Sequence, residues 1–349
     1  MKNNKLEISN YWDDFQIRVN DTIDTLNAGK LPSLQRLTVH ITESCNMKCG
    51  YCNMHFQSKE IDFKLLKKII DDYSDMNGKT IHFTGGEPTV YKYFEEACAY
   101  AKSKGLTVTS NTNGLKRVDT SNIDKFKTSF DTCYSDKFDK MVGTKSFDKV
   151  VENMKIYSKE LDKKMISITA VLNKNTYKDM LALVQFVEEN FNVYNLYFSN
   201  YKGNDPEYAF TDDEIDDMFE NYIPAVLDFF KKTGNTYSHK QLELYKPHDF
   251  VNKKERFEIN KTLPCTIQLS EMTIDIDGNC HNCSHLFRDG VRPDENINVN
   301  NMSLKDCFHK IKSNLGGNYT CLDDFCLSGC NTNLIGFNQT VANGDKFDL

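Results

Sequence analysis

The residues best suited to chemistry are Cys45, Cys49 and Cys52, within the run Cys45-Asn-Met-Lys-Cys49-Gly-Tyr-Cys52. Three thiolates crowded on one short loop cannot all pair as disulfides, and they fall one ligand short of a closed tetrahedral metal site. They can hold three irons of a 4Fe-4S cluster and leave the fourth open to another ligand. The alternative is a zinc knuckle that borrows a fourth ligand such as His55. Upstream, Leu37-Thr-Val-His-Ile41 alternates apolar and polar residues as a strand does, so the cysteines leave the C-terminal end of that strand together.

A second strand pattern, Lys79-Thr-Ile-His-Phe83, runs into Thr84-Gly85-Gly86-Glu87-Pro88. The cysteine triplet followed by a Gly-Gly-Glu-Pro loop resembles the radical SAM superfamily, and zinc becomes the weaker reading. The resemblance implies that the open iron chelates the amino and carboxylate groups of S-adenosylmethionine (SAM). Gly85 and Gly86 would let backbone approach that amino group, since no Cβ intervenes. Glu87 would accept from the ammonium in a charge-assisted bond, with Tyr51 and Pro88 also at the cofactor.

The elements that must position these loops follow a regular order. Phe63, Leu66, Ile70 and Tyr73 mark a helix, and Phe94, Ala97, Cys98 and Ala101 mark another that places Cys98 in the core. Then come a strand at Leu106–Ser110, a turn at Asn113-Gly114, a short helix around Ile123–Phe126, a strand at Thr128–Asp131, and a helix through Phe147, Val150, Met154 and Leu161. The strand Met165–Val171, a capping box at Thr176–Asp179 opening the next helix, and the strand Val193–Phe198 complete the series. Six strand–helix alternations imply parallel strands joined by right-handed crossovers. The expected fold is α/β, a partial (β/α)6 TIM-type barrel with a small C-terminal cysteine-rich β-hairpin and helix domain. Barrel active sites lie at the C-terminal strand ends, where both motifs fall. On the resemblance, Asn111, Asn113, Asp131, Asn173 and Tyr197 or Ser199 would line the cofactor there; each Asn is also a favoured turn residue. Cys133, near the same strand end, is a candidate hydrogen-atom donor or simply a small buried residue.

The chain divides into an N-terminal helical cap (1–35), the core (36–200), a helical linker (201–262) opened by the capping box Thr211-Asp-Asp-Glu214, and an auxiliary domain (263–349). Of the 12 cysteines, seven lie between Cys265 and Cys330. The strand Thr273–Ile276, the hairpin turn Asp277-Gly278 and Cys283 resemble the SPASM and twitch extensions of radical SAM enzymes. That resemblance implies an auxiliary 4Fe-4S cluster held by Cys265, Cys283, Cys326 and Cys330, with Cys280, Cys307 and Cys321 unassigned. A zinc ribbon is the alternative. Ser284 stands where the sulfatase-maturing members carry a basic Asp, so formylglycine formation is disfavoured.

Composition narrows the partners. Net charge is -7 and the few arginines are scattered, so no nucleic-acid face is expected. Mean hydropathy is -0.57 and no run reaches membrane-spanning length, so a cytoplasmic protein without a membrane partner is expected. In that reducing compartment cysteines serve better as cluster ligands than as disulfides. The resemblance implies that a flavodoxin- or ferredoxin-type reductant feeds the Cys45/Cys49/Cys52 cluster, and that SAM then yields a 5′-deoxyadenosyl radical that abstracts hydrogen from substrate. Oxidative modification of a peptide (crosslink, thioether or epimerisation) is the leading expectation. Dehydrogenation of a small alcohol by a twitch-type enzyme is the rival, and a non-catalytic iron–sulfur or zinc module is the reading of another class.

Overall fold

The computed structural model describes residues 33–52, 58–162, 166–201, 203, 205–243, 245–247, 250, 270–282 and 296–313, with 24, 25 and 28. The expected N-terminal cap, His55, and Cys265, Cys283, Cys321, Cys326 and Cys330 lie outside them.

Four of the parallel strands alternate buried with partly exposed residues, and two more, Arg36–Thr42 and Thr80–Gly85, alternate apolar with polar residues but are buried along much of their length. Parallel strands covered on both faces read as nearly continuous apolar runs; these do not, so one face is covered and the other borders open space. The strands are β1 (Arg36–Thr42), β2 (Thr80–Gly85), β3 (Thr107–Thr112), β4 (Lys125–Ser129), β5 (Ile166–Leu172) and β6 (Asn195–Asn200). Each is parallel to its neighbour. Leu37, Val39, Ile81, Phe83, Val108 and Ile168 are fully buried on the covered face. Against that face stand the helices α1 (Phe63–Asp75), α2 (Phe94–Ser103), α3 (Ser135–Val142), α4 (Phe147–Glu160) and α5 (Met180–Asn190). The Asp62 side chain caps α1 by accepting from Lys64 N and Leu65 N.

The sheet is open and has eight strands in the order β6-β5-β4-β3-β2-β1-β7-β8. β7 (Glu271–Ile274) joins β1 in parallel, and β8 (Cys280–His281) folds back antiparallel across a turn in which Gly278 has φ +84°. The hairpin of the expected auxiliary domain therefore continues the barrel sheet. The helix α9 (Leu304–Ser313) packs beside it.

Three local expectations are corrected. No helix forms around Ile123–Phe126; Phe126 already belongs to β4, which runs earlier than the expected Thr128–Asp131. Asp124 fixes that entry, since its carboxylate accepts from Val108 N (2.7 Å) and pairs with Lys102 (2.8 Å). The helix α3, unforeseen, fills the gap before α4 and ends at Gly143 in the left-handed region (φ +65°). The capping box at Thr176–Asp179 is absent: Thr176 Oγ1 donates to Val171 O and accepts from Asn173 N, while Asp179 takes Thr132 and Lys137.

Beyond β6 the Thr211 box is present, with Glu214 donating its N–H to Thr211 Oγ1 and accepting from Thr211 N. It opens α6 (Asp212–Asp217), then one wide turn (Met218–Tyr222) ahead of Pro224, whose missing N–H interrupts the ladder, then α7 (Ile223–Thr233) and α8 (Thr236–Glu243). Among the described residues no helix is long and apolar enough to cross a membrane.

Candidate active site

The cysteine loop leaves β1 through a hydroxyl-closed turn, Ser44 N donating to Thr42 Oγ1 (3.0 Å). Its far side is held by a helix end. The last carbonyls of a helix have no partner within it, and those of Met141 and Val142 at the end of α3 accept from Gly50 N (3.0 Å) and Lys48 N (2.9 Å). Tyr208 closes over Gly50, where an added Cβ would stand 2.1 Å from its hydroxyl. The short segment from Cys45 to Cys52 is thus clamped between β1, α3 and the loop after β6.

The Gly-Gly-Glu-Pro loop docks on this segment by backbone. Gly86 N donates to Thr42 O and Glu87 N to Ser44 O, each at 2.8 Å. A Cβ on Gly85 (φ +145°) would come within 2.0 Å of Thr42 O, and one on Gly86 within 2.3 Å of Ser44 O. What the glycines admit within the chain is the cysteine loop itself, approaching closer than any side chain permits.

Glu87 is buried, with 2% exposure, and its carboxylate is engaged inside the protein. Oε1 accepts from Thr89 Oγ1 (2.6 Å), Thr89 N (3.2 Å) and Thr112 Oγ1 (2.8 Å), and Oε2 accepts from Asn113 N (2.7 Å). Burial raises its pKa against these bonds. No described cation pairs with it, and Oε2 retains acceptor capacity. Pro88 begins the single turn Pro88–Val90 for which Glu87 is the N-cap. Asn113 connects strand end and cysteine loop, its Nδ2 donating to Asn46 Oδ1 at 2.7 Å and lying 3.9 Å from Cys45 Sγ.

Asp131 is a second buried carboxylate without a described cation partner. Oδ1 accepts from Val171 N (2.7 Å) and Oδ2 from the Tyr51 hydroxyl, so its hold is on the cysteine loop. Burial pushes its pKa up to about 6. The Cys49 thiol is pushed up to about 12, first by burial and then by Asp131 and the neighbouring thiols.

The remaining expected positions divide. Asn111 projects from β3 on the uncovered side, with Oδ1 buried and unpartnered among the described residues. Asn173 instead closes a turn, its Oδ1 accepting from Asn175 N (2.8 Å). Tyr197, on β6, lies beneath the Lys127 ammonium, and Ser199 follows it on the same face. The Cys133 thiol is half-buried beside the Lys137–Asp179 pair, and burial raises its pKa. Sequence reading missed Thr112, Tyr208 and α3 as supports of the site; Gly143 after Met141-Val142 was a usable helix-end signal.

Residues 39–187 match the model of the radical SAM superfamily. That span holds both the cysteine loop and the Gly-Gly-Glu-Pro loop. Among curated relatives, the Fe-coproporphyrin III synthase of Methanosarcina barkeri is 30% identical over 165 residues, covering 43% of this chain and 40% of that protein. The mitochondrial GTP 3′,8-cyclase of Arabidopsis thaliana is 29% identical over 210 residues, covering 54% and 52%. The chain thus spans about half, or less, of these relatives' length. Among solved structures, Streptococcus suis SuiB bound to precursor peptide SuiA superposes with TM-score 0.64 at 18% identity, over 90% of this chain and 75% of that one. Native anSMEcpe with bound AdoMet and Cp18Cys peptide gives 0.59 at 17%, over 85% and 89%. These likenesses concern the fold.

A radical SAM core implies a 4Fe-4S cluster and SAM, and the residues here fit both. Cys45 and Cys49 are half-buried and Cys52 exposed, on one clamped loop. Among the described residues no three His, Cys, Asp or Glu converge on a single ion, but a cubane presents a separate iron to each thiolate and takes ligands that stand apart. Beside the loop wait the spare acceptor capacity of Glu87 Oε2 and the unpartnered Asn111 Oδ1.

Proposed function

We propose that this chain is an enzyme in which Cys45, Cys49 and Cys52 hold the catalytic cluster, and Gly85, Gly86 and Glu87 receive the methionine end of SAM. The observation that carries the reading is the backbone docking of the glycine loop onto the cysteine loop. It puts a buried, hydrogen-bonded carboxylate beside the loop that carries the three thiols, near Cys45. When bound, cluster and SAM together supply a 5′-deoxyadenosyl radical for hydrogen abstraction from substrate. The protein's part is to fix the cysteine loop through Met141 O, Val142 O and Asp131, to present Glu87 to an ammonium, and to offer Asn111 and Asn113 to the cofactor's polar groups.

A peptide substrate is supported by the fold shared with SuiB and anSMEcpe, both solved with a peptide bound, and by the cysteine spacing after Gly278. Oxidative peptide modification is therefore our reading. A small-molecule substrate is the second, favoured by relatives named for GTP cyclisation and Fe-coproporphyrin synthesis. We assign electron delivery to a flavodoxin- or ferredoxin-type protein, and an auxiliary 4Fe-4S cluster to Cys265, Cys283, Cys326 and Cys330.

Anaerobically reconstituted protein given dithionite and SAM should release 5′-deoxyadenosine; none, with or without candidate substrates, rejects the enzyme reading. A triple alanine variant of Cys45, Cys49 and Cys52 should keep iron and sulfide. If it binds zinc and no sulfide, the auxiliary cluster is rejected.

A further inference from the structure

Most half-buried or buried lysines among the described residues have oxygen partners, and Lys67, over the Phe63 and Tyr100 rings, has the Asp71 charge nearby. Lys102 meets Asp124 at 2.8 Å, Lys137 meets Asp179 at 2.7 Å, and Lys312 donates to Glu271 O at 2.9 Å and Asn282 Oδ1 at 2.8 Å. Lys127 is the contrast. It stands mid-strand on the uncovered face of β4, in register with Asn111 of β3 and Ser167 of β5. Its ammonium lies 5.2 Å from the Tyr197 ring centroid, and no described carboxylate or carbonyl meets it. An ammonium carries three donors and no acceptor; an aromatic face answers its charge but not its N–H groups.

The surroundings explain what is missing. On the uncovered face, β3 to β6 present hydroxyls, amides, lysines and a tyrosine but no carboxylate. The acids nearby are engaged or distant: Asp131, past the end of β4, is held by Val171 N and Tyr51, and Glu271 on β7 and Asp275, which His281 holds at 3.1 Å, stand at the other flank. Thr169, in register with Tyr197, has its Oγ1 buried and unpartnered among the described residues. Lys127 lies two residues inside the end of β4, roughly 6.6 Å below it. A substrate entering under the cofactor would meet an uncompensated cation and an idle hydroxyl there.

We propose that Lys127 anchors an oxyanion of the substrate, a carboxylate or a phosphate, with Thr169 donating beside it and the Tyr197 ring behind. This rests on the proposed function in one respect only, that substrate enters the uncovered side of the sheet. For a peptide, the anchored group is an acidic side chain next to the residue that reacts.

The test uses the full chain and three probes at constant ionic strength: inorganic phosphate, glutamate capped at both ends, and the neutral capped glutamine. Tenfold excess over Kd of a bound oxyanion should raise Tm by about 2 °C. It should also slow acylation of Lys127 about tenfold relative to exposed Lys64, read by peptide mass spectrometry. Capped glutamine should do neither. The arm that succeeds identifies phosphate or carboxylate as the source. Lys127→Arg should keep the Tm response and Lys127→Met should lose it. Failure of both anions to shift Tm, or an equal shift in wild type and Lys127→Met, overturns the proposal. Should Lys127→Met not fold, the wild-type acylation ratio decides: no selective protection overturns it. Neither readout involves SAM cleavage, so absent 5′-deoxyadenosine with intact oxyanion binding counts against the functional reading alone.

Discussion

Two groups of cysteines in this chain share a chemistry and differ in setting. Cys45, Cys49 and Cys52 sit on a loop at the mouth of the sheet, partly accessible, with backbone clamped from three directions. Cys280 and Cys307 sit beneath the β7–β8 hairpin, at 3% and 0% exposure, against one another and α9. The contact with Cys307 and then burial push the Cys280 thiol up, while the same contact lowers that of Cys307. Cys280, unassigned from the sequence, is a buried residue of that hairpin. The comparison teaches that one residue type is held open at the mouth of the sheet and packed away at its edge, according to how the backbone around it is held.

The sharpest way to break this comparison is to remove the mouth thiols. Cys45→Ala, Cys49→Ala or Cys52→Ala should each abolish SAM cleavage while the circular-dichroism melt of the cluster-free chain stays unchanged. Turnover in any of them would contradict the ligand assignment. Gly86→Val comes next. Its side chain would meet Ser44 O and Glu43 O, starting from a Cβ at 2.3 and 2.6 Å, and would push the cysteine loop off its dock. We expect cleavage to fall by at least about a hundredfold, together with iron loading; normal loading would mean that the docking is dispensable.

Asp131 gives a smaller effect with a definite sign. Its folded pKa, about 6, stands above the ordinary 3.8, so the folded chain holds this proton more tightly than the unfolded one. Its contribution to stability is greatest below about pH 4, falls as pH climbs to 6, and is flat above. The total is on the order of 2–3 kcal/mol. Urea unfolding of the cluster-free chain between pH 4 and 7 should show this decline, and Asp131→Asn should flatten it; an unchanged slope assigns it elsewhere. Least of all, Cys280→Ala or Cys307→Ala should cost about 1–2 kcal/mol in the same assay and leave iron content at the wild-type value. Loss of iron there would erase the distinction between the two groups.

The sequence by itself determined the strands that carry the motifs, the parallel alternation and the loops at their C-terminal ends. These signals are local: period-two alternation over Leu37–Ile41 and Lys79–Phe83, glycines where no Cβ fits, and three thiols within one loop. Boundaries slipped where two patterns overlapped, as at Phe126, because apolar residues there serve strand and helix templates alike. The α3 helix was missed because its main role, accepting the N–H groups of Lys48 and Gly50, is made across the fold.

Only the tertiary structure decided which distant groups meet. Glu87 with Thr112 and Asn113, Tyr51 with Asp131, Cys280 with Cys307, and β7 with β1 are pairings between segments far apart in the chain. Those between strands and strand ends are set by strand register, and the others by what the register brings beside them. Register is fixed by burial of one whole face of the sheet, a sum over many side chains that no short stretch of sequence contains. The same register brought Lys127 to the uncovered side beside Tyr197. In sequence it is one lysine of an alternating strand; in the sheet its ammonium meets no oxygen of the described residues.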